Sequence, residues 1–277
     1  MQDLVSRTWT PARCFHVGDL AWDRNQHAGR EAEWITQLWH DDAGTVVAWA
    51  WLTLPGLLEC CVDPVHPRLL DEILEWARRY QAAAPLEVRC MLSDAESRAT
   101  LERAGLHATT GHSSSVYLLH DLSHLSPVEP PTGSTVRSVD VLVSRQDLAA
   151  RVAAHRAAFH PSRVTEESYR QVATCWPYRA ALDVVVEASD GEILAYCLGW
   201  YDEERRVGEL EPVGCIPSVR RRGAASAACR EALVRFRDLG ADQVVVYPPD
   251  DPANRGPERL YRAVGFTDND RSVTYVG

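Results

Sequence analysis

Residues 217–228 read Pro-Ser-Val-Arg-Arg-Arg-Gly-Ala-Ala-Ser-Ala-Ala, a turn that leads from a strand-like segment into an alanine-rich helix. A bound diphosphate needs several backbone N–H groups aimed at it, small side chains where the backbone comes close, and the positive end of a helix dipole. Gly223, Ala224, Ala225 and Ser226 leave that room. Arg220, Arg221 and Arg222 put positive charge at the same helix end, where it is unfavourable unless an anion sits there too. A solvated basic loop fits this turn equally well when the turn is read alone. Just upstream, Glu209 and Glu211 stand two apart on the strand-like segment, so a regular strand turns both carboxylates to one side.

These residues need elements to hold them, and the order of elements repeats along the chain. With 277 residues, the chain exceeds the range of about 100–200 residues usual for one domain. Three prolines and a glycine interrupt all periodicity between Asp121 and Thr135. This divides the chain into residues 1–122, a linker over 123–134, and residues 135–277. In each half a β-rich run (residues 45–52 and 192–200) is followed by a strand that stops at a proline (57–64 and 208–217). The spacing then predicts helices over 69–80 and 225–239, short strands over 86–92 and 242–247, a further helix, and a Gly with an apolar residue after it (Gly105-Leu106, Gly265-Phe266). Strand, helix, strand, helix in this order implies mixed α/β sheets.

The net charge of −10 excludes general affinity for nucleic acid, which needs an excess of Lys and Arg on one face, and leans towards cationic substrates. The eight cysteines show no CxxC spacing and no His at zinc-like intervals, so they read as small apolar residues of a reduced compartment, with no metal. The N-terminal stretch lacks the apolar run of a signal peptide, and no stretch reaches membrane-spanning length. A cytoplasmic protein, monomer or homodimer, without nucleic-acid or membrane partners, is the expectation.

Arg220-Arg-Arg-Gly223-Ala-Ala225 resembles the acetyl-CoA signature of the GNAT N-acetyltransferases: Gln or Arg, two free positions, Gly, one free position, then Gly or Ala. About thirty residues on, Asn254-Arg-Gly-Pro-Glu-Arg-Leu260-Tyr261-Arg-Ala-Val-Gly265-Phe266 is similar to that family's second motif. Pro257 departs from the pattern and is tolerated only in the first turn of a helix. The resemblance implies two tandem GNAT-like domains of the α/β (α+β) class, each a mixed, mostly antiparallel twisted sheet flanked by helices. It implies that the backbone of Val213, Gly214 and Cys215 meets the pantetheine arm and that amides from about Arg221 to Ser226 hold the pyrophosphate. Asn254 would bind the coenzyme, and Tyr261 would be the acid to the leaving thiolate.

Transfer of an acetyl group from acetyl-CoA to a primary amine of a small molecule or peptide requires a base, a polarised carbonyl and a protonated leaving group. Glu209 and Glu211 are the candidate bases, either of which would instead be structural if paired with Arg205 or Arg206. Tyr261 is catalytic or core; Leu260 beside it is able to fill the core role. Cys215 lacks a base partner and is not a nucleophile. Residues 157–176 hold the expected acceptor loops, where His155, His160 and Tyr169 line the cleft or are surface and core residues.

The first half has lost the turn. Residues 63–74 read Asp-Pro-Val-His-Pro-Arg-Leu-Leu-Asp-Glu-Ile-Leu, without Gly and with acids at the helix start, and Leu101 stands where the second half has Tyr261. It reads as a degenerate copy that supplies a cleft wall or an interface, its tryptophans mostly core, in a tandem arrangement that resembles the mycothiol synthase type. The alternative function is a non-catalytic acyl-CoA-binding or regulatory tandem protein.

Overall fold

A computed structural model describes residues 1–81, 84–109 and 114–277. The first half contains α1 (Gln2–Thr8), α2 (Val17–Asn25), β1 (Trp34–His40), β2 (Val46–Thr53), β3 (Leu57–Val62), α3 (Leu69–Tyr80), β4 (Glu87–Met91), α4 (Ala95–Arg103), β5 (His107–Thr109) and β6 (Val116–His120). The second contains β7 (Ser134–Ser138), α5 (Arg145–Ala158), α6 (Glu166–Thr174), β8 (Asp183–Ala188), β9 (Ile193–Asp202), β10 (Val207–Cys215), α7 (Ala224–Asp238), β11 (Gln243–Val246), α8 (Gly256–Ala263) and β12 (Thr267–Val276).

The helices follow their apolar spacing. In α3 the buried residues are Leu70, Ile73, Leu74, Trp76 and Ala77, and in α7 Ala228, Cys229, Ala232, Leu233 and Phe236 form one stripe against the sheet. Recurrence at three and four residues places such side chains on one face, and each large one stabilises the fold by roughly 1.5–3 kcal/mol on burial. Phe236 fits only because Gly199 and Gly208 lie beneath it: a Cβ at either would come within 2.7 Å or 2.5 Å of its ring. Pro257 lies in the first turn of α8, where its missing N–H has no helical partner to lose.

The twelve strands among the described residues join one sheet in the order β1-β2-β3-β4-β12-β6-β11-β10-β9-β8-β7, with β5 also on β12. The halves exchange strands within it. Leu118–His120 of the first half pair antiparallel with β11, while Ser272–Val276 of the second pair with β4 and its last three residues with β5. Between them, Thr267–Arg271 pair with β6. Helix α2, from the first half, packs on α6, β9 and β10 of the second. Two of the neighbouring strand pairs, β3·β4 and β10·β11, are parallel.

Candidate active site

The parallel pair β10·β11 holds together for three residue pairs, Val207 with Gln243, Gly208 with Val244 and Glu209 with Val245, and then parts. Beyond that point β10 stays bonded to β9 alone, with Val213, Gly214 and Cys215 opposite Cys197, Tyr196 and Ala195. Ile216 donates its N–H to Leu194 O. Because facing residues in an antiparallel pair alternate between bonded and non-bonded, Gly214 turns to β9, and Val213 and Cys215 turn their main-chain groups into the opening. Gly214 has no room for a side chain, since a Cβ would lie 2.4 Å from the Tyr196 hydroxyl.

The end of this open strand runs into the basic turn. Arg221 has φ +62° and Gly223 φ +88°, and Gly223 caps α7 with no side-chain hydrogen bond. The first helical bond runs from Ala227 N–H to Gly223 O, so the amides of Ala224, Ala225 and Ser226 have no acceptor within the helix. Open space surrounds the Gly223 Cα. Arg221 and Arg222 are exposed and make no ion pair among the described residues. Arg220 braces the turn instead: its Nε donates to Cys215 O (3.3 Å) and its Nη2 to Ala158 O (2.9 Å). Asn254 is exposed just before α8. Tyr261 is 6% exposed, packs edge-on against Phe266 at 5.8 Å between ring centroids, and is held protonated, its phenol pushed well above the usual range by burial first and then by Cys229 and Glu211.

The two carboxylates differ. A register shift between Leu210 and Val213 bulges β10 at Glu211 and Pro212, which ends the strict alternation that would give them one environment. Glu209 is 1% exposed, with Oε2 3.0 Å from Nδ1 of His16, the N-cap of α2. That same Nδ1 accepts the Gly18 N–H. A ring nitrogen that accepts has its lone pair outward, so the proton in the Glu209–His16 contact belongs to the carboxyl. Burial works to this end, raising the Glu209 carboxyl well above its usual value and lowering His16 to about 4. Glu209 is therefore a buried acid, and its partner is neither Arg205 nor Arg206; the latter pairs with Asp242.

Glu211 is partly exposed and lines a pocket of roughly 320 Å3 with Trp22, Asp23 and His27 of the first half and His155, Phe159 and Pro212 of the second. Burial, then Asp23 and Asp19, push its carboxyl up to about 8. Asp23 lies at the mouth, open to solvent yet crowded by protein, and is raised by burial and by Glu59 and Asp19. The expected acceptor loops are in part helical, since α5 runs to Ala158 and α6 covers Glu166–Thr174. Of the three residues considered there, His155 lines the pocket, Tyr169 is fully buried with its hydroxyl on Asp183 (2.7 Å), and His160 is exposed. The wall supplied by α2 had no signature in the sequence beyond Asp19 three residues after His16, the acidic half of a capping box.

Residues 150–266 match the model of the acetyltransferase (GNAT) family. The second half carries a domain of the GNAT acetyltransferase family. Similar solved structures reach over the whole chain. A GNAT-type acetyltransferase of Sphaerobacter thermophilus is 19% identical with a TM-score of 0.66, covering 99% of this chain and 91% of its own. A tandem GNAT protein from the clavulanic acid biosynthesis pathway is 14% identical with a TM-score of 0.68 over 100% and 92%. A GNAT acetyltransferase of Colwellia psychrerythraea is 12% identical with a TM-score of 0.66 over 100% and 97%. No curated protein matches the chain. At these identities the likeness is one of fold, and that fold is the tandem GNAT arrangement.

The first GNAT-like half shows the same parting of strands. Its β3·β4 pair is parallel over Leu57 with Glu87 and Leu58 with Val88 only. The opening there is filled by Val5 and Thr8 of α1 and by Cys14, Cys60, Cys61, Cys90 and Leu70, leaving roughly 70 Å3. Outside it lies a surface pocket of roughly 360 Å3 whose charged lining is Arg13 with Asp63, Asp94 and Glu96, a poor match for a diphosphate. In place of a glycine turn, Asp63 accepts the Val65 N–H and is held by Arg7 at 2.7 Å. Among the described residues no group of His, Cys, Asp and Glu is arranged to hold a metal, and no helix is long and apolar enough to cross a membrane.

Proposed function

We propose that the protein transfers an acetyl group from acetyl-CoA directly to a primary amine of a small molecule or peptide, with Glu211 as base and Tyr261 as acid. The observation that carries this reading is the open edge of β10, which presents Val213 and Cys215 and runs straight into the unpaired amides at the start of α7. Main-chain donors and acceptors on that edge suit the amides of a pantetheine arm, and the amides of Ala224, Ala225 and Ser226, with Arg221 and Arg222 nearby, suit a diphosphate. Asn254, exposed just before α8, is the side chain assigned to the coenzyme in this reading.

Glu211 takes the proton of the bound ammonium. A base titrating near 8 is close enough to an alkylammonium to accept its proton without a large uphill step. Val213 N–H, turned into the opening, stabilises the oxyanion of the tetrahedral intermediate in this reading; Gly214 N–H faces β9 and takes no part. Tyr261, held protonated, gives its proton to the departing thiolate. Glu209 and His16 form the neutral floor beneath Glu211.

Calorimetric titration with acetyl-CoA, followed by a thiol-release screen of amines, tests the reading. One equivalent bound and thiol released only with an amine present is the expected result. No binding overturns it, and tight binding with no turnover on any amine replaces it with a coenzyme-sensing function.

A further inference from the structure

Behind the pocket wall lies a buried polar ladder that the transfer chemistry leaves unused. Arg151, fully buried, is paired with Asp183 at 2.9 Å, and its guanidinium lies 3.5 Å over the Tyr196 ring. Tyr196, also fully buried, sets its hydroxyl 2.9 Å from Nδ1 of His155. His155 is 4% exposed, stacked on Phe159 at 5.0 Å and tilted against Trp22 at 5.4 Å. Each rung fixes the next, and the last one borders the pocket that holds Glu211.

The ladder decides which nitrogen of His155 carries hydrogen. A buried phenol O–H needs an acceptor, and the partner of Tyr196 is His155 Nδ1. Burial, then the Arg151 and His27 charges, lower the imidazole to about 3, so the ring is neutral. A neutral imidazole has one donor and one acceptor; with Nδ1 accepting, Nε2 bears the hydrogen. Nε2 has no partner among the described residues, and it is absent from the atoms sealed off from solvent. His155 thus offers one fixed, uncharged N–H donor to a pocket lined also by the carboxyls of Glu211 and Asp23 and by Gln26, His27, Ser162 and Arg163.

We propose that the acceptor is a compact amine carrying an uncharged oxygen that accepts a hydrogen bond (a hydroxyl, ether or carbonyl), and that His155 is the specificity residue that reads this oxygen through Nε2–H. The inference rests on the reading of Glu211 as the base that receives the amine. A purely hydrocarbon amine covers the Nε2–H without giving it a partner. Trp22, Phe159, Pro161 and Pro212 clasp the carbon skeleton between those two polar ends.

The test uses amine pairs that differ by one oxygen in place of a methylene, tetrahydrofurfurylamine against cyclopentylmethylamine and ethanolamine against propylamine. Wild type is expected to favour the oxygen member by about tenfold in kcat/KM, chiefly through KM, the value of one well-made hydrogen bond. His155→Phe brings that ratio towards one. His155→Gln, whose amide N–H reaches nearly as far as Nε2, retains most of it, and Tyr196→Phe lowers it because Nδ1 loses its donor. Acetyl-CoA affinity, measured alongside, stays within about twofold in all three variants if the fold is intact. Equal rates on both members in wild type, or a ratio unaltered by His155→Phe, overturns the inference and leaves amine acetylation standing. Coenzyme binding without acetylation of either member of any pair removes the amine-transfer reading and this inference together.

Discussion

The two halves each part a parallel strand pair, β3·β4 in the first and β10·β11 in the second, yet only the second leaves the gap usable. In the first, α1 and four cysteines fill the space, and Asp63, Asp94 and Glu96 face its mouth. In the second, a turn with two residues at positive φ delivers bare helix amides to the gap. The parting of strands is thus common to both halves, whereas the bare helix amides beside it belong to the turn of the second half alone.

Replacing the carboxylates that occupy similar places after the two partings is the strongest way to test this contrast. Glu211→Gln is expected to lower kcat by about two to three orders of magnitude, the usual worth of a general base, with acetyl-CoA affinity retained; Glu59→Gln is expected to stay within about threefold. Comparable losses from both would mean that the first half takes part in chemistry. Next in size, Gly223→Glu should weaken acetyl-CoA binding by about a hundredfold through lost room and added negative charge, while Val65→Glu in the first half's turn leaves both affinity and stoichiometry alone. Two equivalents in wild type, one of them lost with Val65→Glu, would show the first half to be a working site. Tyr261→Phe should cost about a hundredfold in kcat, at the low end for loss of a general acid, with thermal stability within a few degrees; an unchanged rate would return Tyr261 to the core.

The smallest effect concerns pH, and its sign separates the site from the scaffold. The base works ionised, so kcat/KM should rise with pH through Glu211, whose carboxyl titrates near 8 in the free protein. Stability should run the other way. Glu209, Glu211, Asp19 and Glu59 have raised values in the folded state, so the folded form holds protons that the unfolded form has released. Stability is therefore lost as pH rises, for Glu211 through about 8. His16, lowered to about 4, acts oppositely, giving stability that is lost on acidification below about 6. The melting temperature should peak near pH 6 and fall by several degrees towards pH 9, less steeply in Glu211→Gln. A melting temperature that rises over that range would contradict the buried, protonated state of the cleft acids.

Much of this arrangement was legible because its signals are local. The 69–80 helix lies where its apolar stripe places it, and α7 begins one residue before the expected start, just after Gly223. Pro257 falls in the helical first turn that tolerates it. Glu209 and Glu211 were read as equivalent because a strand alternates with period two; Pro212, which a regular central strand excludes, was the sign that β10 would bulge there and give them separate surroundings. Helix α2 escaped notice for a different reason. Its cap is a histidine rather than Ser, Thr, Asp or Asn, and its place is set by Gly18 lying against Trp200 and Glu209, contacts nearly two hundred residues away that no local pattern encodes. The strand exchange was invisible on the same ground: alternation marks a strand but does not name its neighbour.

That exchange bears on how the chain is made. β4 leaves the ribosome roughly 180 residues before Ser272–Val276, the strand it must pair with, and domains made first ordinarily fold first. Here the earlier half waits, with the hydrogen-bonding edge of β4 uncovered, until Ser272–Val276 have been made. An unpaired edge of that kind invites association with other chains. Loss of the strand residues Ser272–Val276, or a pause in translation before them, would therefore be felt first in the half that was synthesised first.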